Sequence, residues 1–523
     1  MNQNFLPRRR TVLATSASAA ALGMLPLGLL PAAAQAQPKG ELSWGISLSL
    51  TSAFFDPGET PGTGAALLLQ YAMHDAIVRP VRGKAIDLSL AESMKRSDDG
   101  LIYEFKLRPN LKFQNGDPLT SEDAKFSFER YKGSNAKVLK ERVASVEAPD
   151  PRTVKITLHR PWPDFLTFYG VASAAAWVLP KKYLESVGDD GFKKKPIGAG
   201  PYRLLNFRPG NEFIYEASEH YWRKTPNVKT LRFKIIPDSA TRLAAIKGGE
   251  IDIAYAIQGE LVKEAQRTPG LTVKTSTIPV TNFIVFGSMY DKNSPWSDER
   301  VRMAANIGID RAAINNAIYA GLGKTSTSII PTLMEGYWTP PNGGYQYNLE
   351  RAKALLAEAG YAKGFDGGIL WGDNTEFMVE PVQIMLGQIG IKVQLRQMER
   401  AAYLKQVADK KLTGLVFTGS GAPGNAASRL EQFVASTGTL SYVRDDALDK
   451  MIKAQANELN ADKRKKMLDD IQKTLYDHAM FMPVMQYPYP VILGPRVGVD
   501  GVDLIPNNPY TGPYEDMTIK EGK

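Results

Sequence analysis

"LVFTGSGAPGNAASRLEQF", Leu415 to Phe433, decides the fold because it admits two readings. Gly419, Gly421 and Gly424 form a literal G-x-G-x-x-G, preceded by an apolar, strand-like run and followed by a helix-like one. A dinucleotide fingerprint would open a βαβ unit. Its glycines would let backbone approach a pyrophosphate, and an acid about 20 residues on would hold a ribose. Asp445 and Asp446 stand near that distance. The intervening strand, however, is confined to about Leu440–Val443 and leads straight into "RDDALDKMI", a helix start. The context fails the fingerprint, and the stretch reads as a strand-to-helix turn of another α/β architecture.

Working outward, strand and helix signals alternate along the chain. "ELSWGISLSL" (Glu41–Leu50) alternates like a strand, and Ala65–Ile77 has helical spacing, with Leu68, Tyr71, Ala72 and Ala76 on one side. Ile102, Phe105 and Leu107 mark a strand, followed by an Asn-Gly-Asp-Pro turn and a helix start that Thr120 can cap. "TVKITL" (Thr153–Leu158) is another strand, and "KPIGAGPYRL" (Lys195–Leu204) is a Gly/Pro connector before a strand. Ser239–Ala256 reads as helix, Gly248-Gly249 stop and strand. Ser297–Ile318 reads as two helices with Asp310 capping the second, and Asn348–Tyr361 as a helix with an Asn348 cap. Val379–Met398 is a helix followed by a strand from Ile391, and Ala461–His478 is a long amphipathic helix. No internal repeat appears. The class is mixed α/β with more than one sheet.

The N-terminus carries an export signal pattern. Arg8, Arg9 and Arg10 precede an Ala/Leu-rich stretch, and Ala34 and Ala36 offer an A-x-A cleavage site before Gln37. Arg9-Arg10-Thr11-Val12-Leu13 is similar to a twin-arginine signal. Removal of residues 1–36 leaves 487, enough for two or three structural units, with no later run apolar enough to span a bilayer. The chain is +9, with no dense basic stripe, so nucleic-acid binding is not expected. Cysteine is absent, which excludes disulfides, thiolate chemistry and lipid anchoring through a lipobox Cys. His74, His159, His220 and His478 lie far apart and form no close metal pair. No G-x-S-x-G elbow occurs, and Gly323-Lys324-Thr325 lacks the leading Gly of a P-loop because Ile318 occupies that place. Neither an enzyme nor a cofactor is expected.

Five stretches in this order resemble the large solute-binding proteins of bacterial ABC importers, the family 5 or oligopeptide/dipeptide/nickel-binding type. They are "LRPNLKFQNGDPLTSEDAKFSFERY", "PIGAGPYRL", "AAIKGGEIDI", "SPWSDERVRMAANIGIDRAAI" and "ERAKALLAEAGY", spanning Leu107 to Tyr361. The resemblance implies a two-lobed periplasmic-binding-protein fold (type II-like, the large cluster C form) with an extra subdomain on lobe I. It places lobe I at 37–77, 197–278 and 485–523, the subdomain at 78–196, and lobe II at 279–484. It also implies a monomer in the periplasm that closes on a small-molecule or peptide ligand and delivers it to an inner-membrane permease. A periplasmic enzyme or a sensing module on the same scaffold is the alternative.

In that resemblance the 414–433 stretch is the lobe II turn facing the cleft, where peptide-binding relatives commonly carry an aromatic and an Asp that pairs with the ligand ammonium. Here Phe417 sits near the aromatic position, followed by Thr418, Ser420 and Gly421, and no acid occurs between Gly414 and Ala427. A buried ammonium without a counter-charge is costly, so the turn suits neutral or anionic ligands unless another loop supplies the acid. Further ligand-binding candidates are Phe54, Phe55 and Asp56 after the first strand, and Asn282 and Phe283 near a lobe crossover. Trp371 at a strand end and Tyr487 before the return to lobe I complete the set. Nickel is disfavoured because no His or Cys cluster is present.

Overall fold

A computed structural model describes residues 37–48, 52–59, 71–373, 378–421, 424–506 and 508–520. The export-signal reading of residues 1–36 and most of the helix expected over Ala65–Ile77 lie outside them. Of that helix, only residues 71–73 are described as helical; Ala76 instead bridges to Trp177.

The first half of the chain builds outward from β1 (Lys39–Ile46), whose inner residues Leu42, Trp44 and Ile46 are buried. β2 (Val78–Val81) and β3 (Lys84–Leu88) form a separate hairpin. A four-stranded antiparallel sheet follows, made of β4 (Ala91–Arg96), β5 (Ile102–Leu107), β6 (Val143–Asp150) and β7 (Thr153–Leu158), in the order β4-β5-β7-β6. The helix Ser121–Arg130 packs against it. Thr120 is its N-cap, in a capping box with Asp123, whose carboxylate accepts from the Thr120 N–H at 2.8 Å and from the Thr120 hydroxyl at 3.0 Å.

Among the described residues the main sheet has eleven strands. One half contains β8 (Tyr202–Arg208), β9 (Glu212–Ala217), β10 (Val228–Ile235), β1 and β11 (Ile253–Tyr255). Two long strands, β12 (Thr272–Phe286) and, at the far end of the chain, β17 (Phe481–Leu493), run on into the other half. That half is completed by β13 (Lys324–Thr325), β14 (Phe365–Asp373), β15 (Ile391–Met398) and β16 (Leu415–Ser420). The order is β15-β14-β16-β12-β17-β11-β1-β10-β9-β8, with β13 on β17.

Two large hydrophobic cores flank this sheet. The first joins Trp44, Phe213 and Phe233 to Phe105, Phe165 and Tyr169 of the four-stranded sheet and its helices, and to Tyr514 near the C-terminus. The second runs from Phe283 to Met485. β17 serves both: Phe481, Met482 and Val484 belong to the second core, Val491 and Leu493 to the first.

The helix signals of the second half are realised with their caps. Asp310 accepts from Ala313 N–H at 2.9 Å at the start of Arg311–Tyr319, and Asn348 from Arg351 N–H at 2.9 Å at the start of Leu349–Glu358. Residues 440–443, read as a short strand, form none. They lead into the helix Asp446–Gln455, whose N-cap Asp445 accepts from the N–H groups of Ala447 and Leu448.

Candidate functional site

The two cores meet where β12 and β17 cross between them. The strands pair antiparallel from Thr272–Leu493 to Thr277–Pro488, lose register, and resume at Thr281–Gln486. Ile278, Pro279 and Val280 thus stand opposite Tyr487 alone. Proline lacks the N–H a ladder needs, so Pro279 and Pro488 weaken the ribbon at this point. A ribbon continuous through both cores but unpaired between them has few backbone hydrogen bonds to resist bending at this point.

Beside the gap, Ser420, Thr281 and Gln486 occupy one rung across β16, β12 and β17, and all three are buried. Residues on one rung point to one face. The Ser420 hydroxyl donates to Ile329 O at 3.1 Å, and Thr332 donates to Gln486 Oε1 at 3.2 Å. Thr281 Oγ1 and Gln486 Nε2 have no hydrogen-bond partner among the described residues. Buried polar atoms without partners are rare and mark places where a water or ligand is due.

The next rung, Gly419–Asn282–Met485, points to the other face. Asn282 Nδ2 donates to the Tyr487 hydroxyl at 3.0 Å. A Cβ at Gly419 would lie 2.7 Å from Asn282 Oδ1, and one at Gly424 would lie 2.4 Å from Ser428 Oγ. Two glycines of the G-x-G-x-x-G are therefore explained by packing. The strand they leave, β16, is parallel to β14 but antiparallel to β12 and opens no βαβ unit, since the next strand, β17, lies beyond β12; with Asp445 spent on its helix cap, the dinucleotide reading fails.

Several candidates belong to the cores instead. Phe55 packs edge-on against Phe207 and Phe213, Phe283 against Phe433 and Phe481, and Phe417 is buried in the second core with its carbonyl accepting from Tyr403. Each faces the apolar side of its strand or turn, which burial favours. Asp56 is fully buried in a bidentate pair with Arg130, at 2.9 and 2.6 Å, and ties the segment after β1 to the helix Ser121–Arg130. Trp371 donates from Nε1 to Thr413 O at 2.8 Å, with Arg396 over its ring at 5.8 Å. Phe54 is half-buried at the edge of the first core. The structure thus gathers Asn282, Thr418, Ser420, Gly421 and Tyr487 near this gap; Phe283 and Phe417 lie beside them on the strands but are buried in the second core, while Phe55, Asp56 and Trp371 are held elsewhere.

Sequence reasoning missed three features here. Asp164, beside the first core, accepts from Asn425 and pairs with Arg464 at 2.7 Å, both on the side of the second core. Thr167 adds a 3.3 Å bond to Glu335. The third is Arg429, one turn beyond Asn425 in the helix Ala426–Phe433 and almost wholly buried. Its signal was present: an arginine on a helix face otherwise set by Ala426, Leu430 and Phe433.

Residues 85–441 match the model of the bacterial extracellular solute-binding proteins, family 5, middle region. The chain belongs to that family. It is a solute-binding protein of the ABC-importer type. It is 26% identical to heme-binding protein A of Haemophilus influenzae over 483 residues, covering 83% of this chain and 87% of that one. To the dipeptide-binding protein of Escherichia coli K12 it is 28% identical over 470 residues, 80% and 84% of the two chains. The solved structure of HbpA2 from Haemophilus parasuis superposes with a TM-score of 0.79 at 25% identity, covering 92% of this chain and all of that one. The two-lobed fold of such proteins is the one seen here, with helices around a large mixed sheet. No helix among the described residues of this solute-binding protein is long and apolar enough to cross a membrane.

Proposed function

We propose that this family 5 protein is exported, cleaved before Gln37, and works in the periplasm as a monomer. There it captures a small solute between two lobes hinged at β12 and β17 and presents the closed form to a membrane permease. The supporting observation is the ribbon that runs through both cores but is unpaired at 278–280. Lobe boundaries near 279 and 485 fit that gap, and the segment 78–196 is the extra subdomain, sharing its core with lobe I. Ligand drives closure by binding the closed form better than the open one. Relatives named for heme and for dipeptides bracket a wide ligand range. The absence of an acid in the 414–427 turn argues against an α-ammonium anchor here.

The test is thermal unfolding of the chain lacking residues 1–36 against dipeptides, longer peptides, oligosaccharides and organic acids. A ligand at about 100 times its Kd stabilises by about 2.7 kcal/mol. Shifts confined to ligands without a free α-amine are expected, with small-angle scattering showing compaction. If free-amine peptides give the largest shift, another loop supplies the acid.

A further inference from the structure

Six arginines are buried among the described residues. Five of them, Arg79, Arg242, Arg302, Arg311 and Arg464, are saturated. Arg242 alone reaches four backbone carbonyls and a hydroxyl, Arg302 and Arg311 donate to carbonyls at 2.8–3.2 Å, and Arg79 and Arg464 pair with Asp75 and Asp164. Arg429 differs: its Nε and Nη2 are both buried and neither has a partner. Those two atoms form one edge of the guanidinium, the edge that meets a carboxylate with two parallel N–H···O bonds. Burial lowers the Arg429 pKa to about 10, with no acid opposing the shift, so the group is still a cation at neutral pH. The charges that act on Glu431, two residues on, are those of Asp164, Arg142 and Arg464, not that of Arg429.

The position is as informative as the missing partner. The helix Ala426–Phe433 starts where the two cores face each other. Asn425 bonds Asp164 across that space, and Ala426 N–H donates to Glu335 O at 2.8 Å, while Glu335 itself meets Thr167. No acid occurs in the 414–427 turn that leads into this helix, and two residues beyond that turn the helix carries an unneutralised cation. A buried charge without a partner is unfavourable unless the partner arrives from outside.

We propose that Arg429 is the anion anchor of the captured solute, and that the solute presents a carboxylate to its Nε–Nη2 edge. This rests on the capture reading above. Both atoms are sealed from solvent in the present arrangement, so the carboxylate enters while the lobes are apart and is enclosed as they close.

Three acid–neutral pairs test it by thermal unfolding and calorimetry on the chain lacking residues 1–36: alanyl-phenylalanine and its C-terminal amide, phenylacetate and phenylacetamide, glucuronate and glucose. Wild type should bind at least one acid about tenfold or more tighter than its neutral partner, as charge-assisted bonds to a buried group imply. Arg429→Met should lose that preference while its ligand-free melting temperature is unchanged or raised, since a desolvated charge is removed. Arg429→Lys, which keeps charge but not the fork, should bind the acid more weakly than wild type. Equal binding of acid and neutral partner by wild type, or an undiminished acid preference in Arg429→Met, overturns the anchor and leaves the capture reading standing. A wild-type protein stabilised by no member of any pair overturns both.

Discussion

Folding changes the acid–base chemistry of His74. It is fully buried, Nε2 lies 3.0 Å from Phe55 O, and Nδ1 has no partner among the described residues. Burial lowers its pKa to about 4, against the smaller opposing pulls of the Phe55 carbonyl and the Asp56 charge. The unfolded imidazole titrates near 6.5. Above that pH both states are neutral and the contribution to stability is complete. As pH falls from about 6.5 toward 4 the unfolded chain takes up the proton first, and stability drops by about 3 kcal/mol at most. We expect His74→Gln to flatten the acid limb of a urea-midpoint profile between pH 6.5 and 4; an unchanged limb would assign it to the carboxylates. At this scale little was legible beforehand. His74, Asp56 and Arg429 each sit in an environment built by segments distant in sequence.

Elements were far more readable, because periodicity, caps and turn residues are local. The connector "KPIGAGPYRL" shows how a local pattern can have a non-local cause. Gly200 N–H donates to Met73 O at 2.9 Å, and a Cβ at Gly198 would lie 2.1 Å from that same oxygen. Gln114 stitches the contact, donating to Met73 O at 2.7 Å and Tyr202 O at 2.6 Å while accepting from Gly198 N–H. The glycines thus permit a backbone approach no side chain could share. Gly198→Ala should cost about 2–4 kcal/mol by overpacking, read as a lower urea midpoint with an unchanged slope; a cost under about 0.5 kcal/mol would mean the segment moves freely. The element errors have the same origin. The stretch 440–443 has strand composition but no neighbour to pair with, and Ala76 leaves its helical pattern to bridge Trp177.

For the whole molecule, the contacts that matter bridge the cores away from the hinge. Asp164 receives both Asn425 and Arg464, and all three side chains are buried. Buried, doubly bonded carboxylates across an interface hold it shut more by the penalty of breaking them than by net attraction. Asp164→Asn should therefore tilt the ligand-free protein toward an open form. A change of about 1–2 kcal/mol alters the open-to-closed ratio roughly five- to thirty-fold. Small-angle scattering should show a larger radius of gyration, and an unchanged radius would mean that this bridge does not set the equilibrium.

The sequence by itself determined the mixed α/β class, most helices with their caps, and, through five collinear motifs, the family. These are properties of short windows, where hydrophobic period, a capping side chain or a Gly/Pro turn acts within a few residues. Only the tertiary structure decided which aromatics were spent in the cores, that Gly419 and Gly424 make room for Asn282 and Ser428, and that Arg429 Nε and Nη2 are buried with no partner among the described residues. Burial and partnership depend on strands joined from opposite ends of the chain, β12 beside β16 and β17, and no window of sequence contains both sides of such a contact.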